Sequence, residues 1–156
     1  MAVTHKARRT ARRLALDVLY EAEIRDQLPL DAYRSRQEEG WVVPGAGDDD
    51  TAGDGFEITD EALRYALVLV DGVQSHGADI DALIARYADK WAIQRMPVID
   101  RNVVRIALFE LLWRDDVPVP VAINEAVEMV KSLSTEDSGR FVNGLLGRIA
   151  EKELAP

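Results

Sequence analysis

Val98-Ile-Asp-Arg-Asn-Val-Val-Arg-Ile-Ala-Leu-Phe-Glu-Leu-Leu-Trp113 decides the fold. Val103, Val104, Ala107, Leu108, Leu111 and Leu112 recur at the helical spacing of i, i+3, i+4 and form one wide apolar face. A helix with so broad a face is a core helix. Pro97 separates it from the upstream segment. Pro118 and Pro120 break it from the downstream one, with Pro120 suited to the first turn of a new helix. That next helix buries Ile123, Ala126, Val127 and Val130, and a last one from about Glu136 buries Phe141, Val142, Leu145, Leu146 and Ile149.

The same rule applies upstream. Ala11, Leu14, Ala15, Val18, Leu19 and Ala22 make the stripe of a first helix from about Thr4 or His5 to Asp26, which ends before Pro29. A weak short helix spans about Leu30–Glu38. Thr59 is placed to cap a further helix, with Asp60 and Glu61 in its first turn and Ile58 positioned to staple onto Leu63. Leu63, Ala66, Leu67, Val70 and Val73 are its expected inner face, and Gly77 its C′ glycine. Asp79 is expected to cap a short helix whose Leu83, Ile84 and Tyr87 point inward. No segment reads as a strand. Short connections between these helices predict antiparallel neighbours and an all-α helical bundle in a single domain over 1–156.

Composition narrows the function classes. The 156 residues include no cysteine, which excludes disulfides, thiolate nucleophiles and sulfur-ligated metals. No apolar run approaches the ~18–20 residues of a membrane span, so a soluble, cytoplasmic protein is expected. The net charge of −9 is unevenly distributed. Lys6, Arg8, Arg9, Arg12 and Arg13 give residues 1–13 a charge of +5, whereas residues 38–63 carry −9 without a single Lys or Arg. Within the latter, residues 39–56 read as an acidic, Gly- and Asp-rich loop insertion.

Catalytic and metal chemistry find little support. His5 and His76 lie in different segments without a companion ligand. Asp48, Asp50 and Gly53 match three positions of an EF-hand loop, but Ala52 and Thr59 stand where ligands are required. Gly144 and Gly147 fall inside a helical pattern and are assigned to close helix packing. No nucleophile motif is present, so neither a catalytic centre nor a cofactor is expected. The basic start is the one candidate site. Arg8 with Arg12, and Arg9 with Arg13, are i, i+4 pairs that on one helix would form a cationic surface within reach of several phosphates.

Beyond periodicity, the run Asp100–Leu112, then Val117-Pro118, Val121-Ala-Ile-Asn-Glu-Ala-Val-Glu128, Glu136-Asp-Ser138 and Phe141-Val-Asn-Gly-Leu-Leu146 resembles the NusB family of bacterial transcription antitermination factors. Ala11-Arg-Arg-Leu-Ala-Leu-Asp-Val-Leu-Tyr20 is similar to that family's arginine-rich first helix. The resemblance covers nearly the whole chain except about 34–56. It implies two small three-helix subdomains and the binding of the boxA element of ribosomal RNA leader transcripts together with NusE, a small-subunit ribosomal protein. The pair then acts within the RNA polymerase antitermination complex.

By the same resemblance, Lys6, Arg8, Arg9, Arg12 and Arg13 would contact RNA phosphates, and Tyr20, Tyr87 and Phe141 bases or sugars. Asp100 and Arg101 would lie in the protein-partner surface, and Asp137 near the complex interface. A NusB-like domain also occurs in some ribosomal RNA cytosine methyltransferases. A chain ending at Pro156 leaves no space for a methyl-donor-binding domain, which favours the stand-alone factor. An interaction-only module, such as a homodimer, is the alternative from another class. The acidic insertion departs from the family pattern, and its charge is expected to screen the basic helix until NusE is present.

Overall fold

The computed structural model describes residues 3–41, 57–88 and 93–154. Among the described residues all regular structure is helical: α1 (His5–Ile24), α2 (Pro29–Glu39), α3 (Asp60–Ser75), α4 (Gly77–Tyr87), a 3₁₀ turn at Ile93–Arg95, α5 (Val98–Trp113), α6 (Val119–Leu133) and α7 (Glu136–Glu153). The chain divides into two compact units, Met1–Gln74 and Ser75–Pro156. The first holds α1 to α3, and the second holds four α-helices, α4 to α7. Most of the acidic insertion, with Asp48, Asp50 and Gly53, lies outside the described residues.

In the first unit, the Thr4 hydroxyl accepts from the Ala7 backbone N–H (3.1 Å) and caps α1. The stripe Ala11, Leu14, Ala15, Val18, Leu19 and Ala22 is buried as the periodicity requires. α1 then stops without a glycine. Asp26 adopts φ 53°, and the backbone N–H groups of Asp26 and Gln27 reach the carbonyls of Glu23 (3.3 Å) and Ala22 (2.8 Å), the two bonds of a Schellman turn. Pro29 therefore begins α2 rather than ending α1, supplying a fixed φ at a position that needs no donor. α2 closes at Gly40 (φ 101°), after which Trp41 folds back edge-on against Tyr33 at 5.2 Å.

α3 begins at the expected place, its Ala62 N–H bound to the Thr59 hydroxyl at 3.1 Å. Its inner face is rotated from the expected one: Ala62, Tyr65, Ala66, Leu69, Val70 and Val73 are buried, while Leu67 is 40% exposed. Weighting leucines over Ala62 and Tyr65 misplaces the stripe. Gly77 is not a C′ glycine either. α4 starts there with His76 at its N-cap position, so Asp79 sits in the first turn instead of capping it. His76 stacks on Trp113 with ring centroids 3.9 Å apart.

The second unit is built around α5, which packs on α4, α6 and α7. Burial runs around nearly its whole circumference, from Asn102 and Val103 through Ile106, Ala107 and Leu108 to Phe109, Glu110 and Leu111. Such a helix is held by tertiary packing rather than by one amphipathic stripe. Arg105 fastens α4 to it, with Nε 3.0 Å and Nη2 3.1 Å from the two Asp81 carboxylate oxygens. The close helix approach expected at Gly144 and Gly147 occurs elsewhere. A Cβ on either would meet nothing within 4 Å, whereas one on Gly139 would stand 2.9 Å from Lys131 Cγ.

Candidate nucleic-acid interface

Helical geometry sorts the arginines of α1 into two sets. At about 100° per residue, Arg9 and Arg13 stand opposite the apolar stripe, while Arg8 and Arg12 flank it. The structure follows this division. Lys6, Arg9, Asp17 and Tyr20 are exposed, Arg13 is half-exposed, and the line they trace continues to Ile24 at the far end of the helix. Arg8 instead lies half-buried over the Tyr65 ring, its guanidinium carbon 5.0 Å from the centroid. Arg12 is 2% exposed, so it is placed to hold the fold rather than to receive a phosphate. The continuous four-arginine surface expected from the sequence is thus two surfaces, one outward and one inward.

α2 adds a cation that helical periodicity does not single out. Arg36 donates from Nε to Glu21 at 3.0 Å, and Arg25 approaches the other Glu21 oxygen at 3.6 Å. Asp17, one turn before Glu21, falls within Coulombic reach of both Arg13 and Arg36. Surrounding side chains desolvate its carboxyl and raise its pKa above the usual carboxylate value, against the downward pull of Arg13 and then Arg36. The signal that could have found Arg36 is its placement on α2, directly after α1 in the chain. α2 itself is weakly amphipathic, so its pattern marks only a short, weak helix.

The start of α1 is fixed by α3. Glu61 accepts the Thr4 backbone N–H at 2.8 Å, and Tyr33 of α2 donates to the Leu63 carbonyl at 3.2 Å. All three helices of the unit therefore set the direction of the Lys6, Arg9, Arg13 and Tyr20 line. A cleft lined by Thr4, Lys6, Ala7, Glu57, Thr59 and Glu61 opens at its N-terminal end.

The remaining candidates belong to the second unit. Asp100 is fully buried and accepts a 2.6 Å hydrogen bond from the Ser138 hydroxyl, which ties the first turn of α5 to the first turn of α7. It does not reach solvent, so it is not itself part of a partner-facing surface in this conformation. Arg101 is half-buried, and its Nη1 donates to the Met96 carbonyl at 2.9 Å. Asp137 is exposed beside Arg140, with which it pairs, and Phe141 one turn on is half-buried. The Tyr87 hydroxyl donates to Glu153 at 2.7 Å, and that bond, with burial and the Glu153 charge, raises the phenol pKa against the Arg86 charge. Among the described residues, no three His, Cys, Asp or Glu side chains group as a metal site. Likewise, no helix is long and apolar enough to cross a membrane.

Known proteins carry the same architecture. The NusB family profile matches residues 9–151. A transcription antitermination protein NusB from Salinispora arenicola is 45% identical over 93% of this chain and 96% of its own length. The T. maritima NusB structure superposes with a TM-score of 0.72 at 37% identity, covering 92% of this chain and 91% of that one. A structure of the antitermination factors NusB and NusE in complex with dsRNA does so with a TM-score of 0.75 at 26% identity, covering 95% and 98%. A family match running from the basic stripe of α1 to the end of α7, in a chain with this helix order, means that the protein belongs to the NusB family.

Proposed function

We propose that this protein is a transcription antitermination factor that binds boxA RNA of ribosomal RNA leader transcripts together with NusE and delivers the pair to RNA polymerase. It acts in the cytoplasm as an adaptor, without a catalytic centre. The observation that carries this reading is the outward line of Lys6, Arg9, Arg13 and Tyr20 on α1, in a family with a member solved alongside NusE and RNA.

The chemistry arises from the line itself. Lys6 to Arg13 spans about 10 Å along the helix axis, enough for cations to meet successive phosphates and release their counterions. The planar arginine fork can take two phosphate oxygens at once, which fixes orientation as well as charge. Tyr20, 44% exposed and one turn beyond Asp17, offers a ring face on which an unstacked base can lie. Tyr87, Phe141 and Asp137 extend the reading to the second unit, where Phe141 and Asp137 share the first turns of α7.

The test is retention of boxA RNA by the full chain, with and without NusE. Retention that strengthens when NusE is added is expected. NusE binding with no RNA retained under either condition would leave a protein-interaction module in place of this reading.

A further inference from the structure

Asp100 is enclosed by the second unit, yet its carboxylate is only half satisfied. Oδ2 accepts from the Ser138 hydroxyl at 2.6 Å, a length typical of a bond to a charged acceptor, whereas Oδ1 is buried with no hydrogen-bond partner among the described residues. A hydroxyl has one proton to give. Because Ser138 gives its own to Asp100, the Ser134 (3.2 Å) and Thr135 (3.0 Å) hydroxyls both donate to the Ser138 oxygen. Thr135 in turn accepts the Ser138 backbone N–H at 3.0 Å and so caps α7. One carboxylate on α5 thereby orients all three hydroxyls at the junction of α6 and α7.

We propose that Asp100 and Ser138 are positioning residues for RNA binding: their bond fixes the rotation of the first turn of α7, and with it the direction in which Phe141 meets the RNA. The inference rests on the proposed RNA contact of Phe141. Phe141 lies three residues after Ser138, about 60° round the helix, so it turns with the anchored hydroxyl. α6 closes another side of the same turn, since a Cβ on Gly139 would stand 2.9 Å from Lys131 Cγ. As a source of stability a buried carboxylate with an unpaired oxygen is poor, because an apolar pair of the same shape would serve as well or better. What an apolar pair lacks is the directional bond that sets the angle of one helix against another.

The experiment titrates boxA RNA against the full chain with NusE present, with helicity followed by circular dichroism. Wild type is compared with Phe141→Ala, Ser138→Ala, Asp100→Asn and the double variant Ser138→Ala/Phe141→Ala. Phe141→Ala should bind about tenfold more weakly, as for a lost base stack, and Ser138→Ala about threefold to tenfold more weakly. Asp100→Asn keeps an amide oxygen that accepts from Ser138, so near-wild-type binding is expected. The double variant should bind no more weakly than Phe141→Ala alone, because Ser138 acts through the ring. Ser138→Cys, similar in volume but only a weak donor, repeats the test should Ser138→Ala lose helicity, and is also expected to bind more weakly. Wild-type binding by a fully helical Ser138→Ala or Ser138→Cys overturns the inference, as do losses that multiply in the double variant.

Phe141→Ala separates the two levels. If it weakens binding while the Ser138 variants match wild type, only the positioning role fails. If Phe141→Ala and wild type are indistinguishable, the RNA contact of Phe141 fails and this inference with it.

Discussion

α1 and α5 are long helices of similar length, each carrying charged residues in its first turns, yet they treat charge in opposite ways. α1 buries one apolar stripe and leaves Lys6, Arg9 and Arg13 toward water. α5 is buried nearly all round, so Asp100 in its first turn has no route to solvent; its Oδ2 accepts from Ser138 instead, while its Oδ1 is buried without a hydrogen-bond partner. A charged residue in a family motif therefore has two possible duties. On a half-exposed helix it is available to a ligand, and on an enclosed one it joins elements of the fold. The same division recurs within α1 itself, between Arg9 and Arg13 on the outside and Arg8 and Arg12 toward the interior.

The sharpest way to break this comparison is to mutate the two arginine pairs separately. Arg9→Ala/Arg13→Ala should lower boxA affinity by about thirtyfold at low salt, at roughly 1 kcal/mol per lost phosphate contact, with an unchanged melting temperature. Arg8→Ala/Arg12→Ala should instead cost about 2–4 kcal/mol of stability, read by urea unfolding, because Arg12 is buried and Arg8 covers Tyr65. Equal affinity losses at equal stability in the two variants would erase the distinction.

On the α5 side, Ser138→Ala removes the one hydrogen bond shown to Asp100 and leaves its buried Oδ2 unsatisfied alongside the already unpartnered Oδ1. A loss of about 1–3 kcal/mol in chemical denaturation is expected. Asp81→Ala, which releases Arg105 from a more exposed pair, should cost about 1 kcal/mol or less. Were the second loss larger than the first, burial would not be what governs charge in this unit.

The smallest expected effect concerns pH. Asp17 has a folded pKa above its ordinary value of 3.8, so the folded state binds its proton more readily than the unfolded state. Its contribution therefore falls as pH rises from below 3.8 through the raised folded value. Asp17→Asn should lose that decline and match or exceed wild-type stability at neutral pH. A variant less stable than wild type at pH 7 would mean that the attraction of the Arg13 and Arg36 charges outweighs desolvation.

Much of this was legible from residues alone. The limits of α5 are set by the prolines on either side of an unbroken apolar period, and Thr59 announces its helix because its hydroxyl meets a backbone donor three residues on, as Thr4 and Thr135 also do in the structure. The inward and outward arginines were also within reach, since the angle from the apolar stripe separates them. The end of α1 was harder, because Asp26 takes a left-handed conformation usually given to glycine. The pairing of Asp100 with Ser138 and the approach of Arg36 to Glu21 are not written in any local pattern. Each depends on how two helices far apart in sequence, or on opposite sides of a turn, come to face one another.

The acidic insertion begins against the ordered end of α2. Glu39 completes the last turn of α2 and Trp41 packs on Tyr33, so a deletion beginning at Glu39 would damage the first unit itself. Removing 42–55 spares both residues. If the acidic segment screens α1, that deletion should raise RNA affinity at low salt in the absence of NusE, and an unchanged dissociation constant would end the idea.

The most direct measurement is the salt dependence of boxA binding in the presence of NusE. Neutralisation of about three phosphates by Lys6, Arg9 and Arg13 predicts a slope near −2 for log K against log[salt], reduced to about −0.7 in Arg9→Ala/Arg13→Ala. An identical slope in wild type and variant would show that the outward face of α1 is not where the RNA is held.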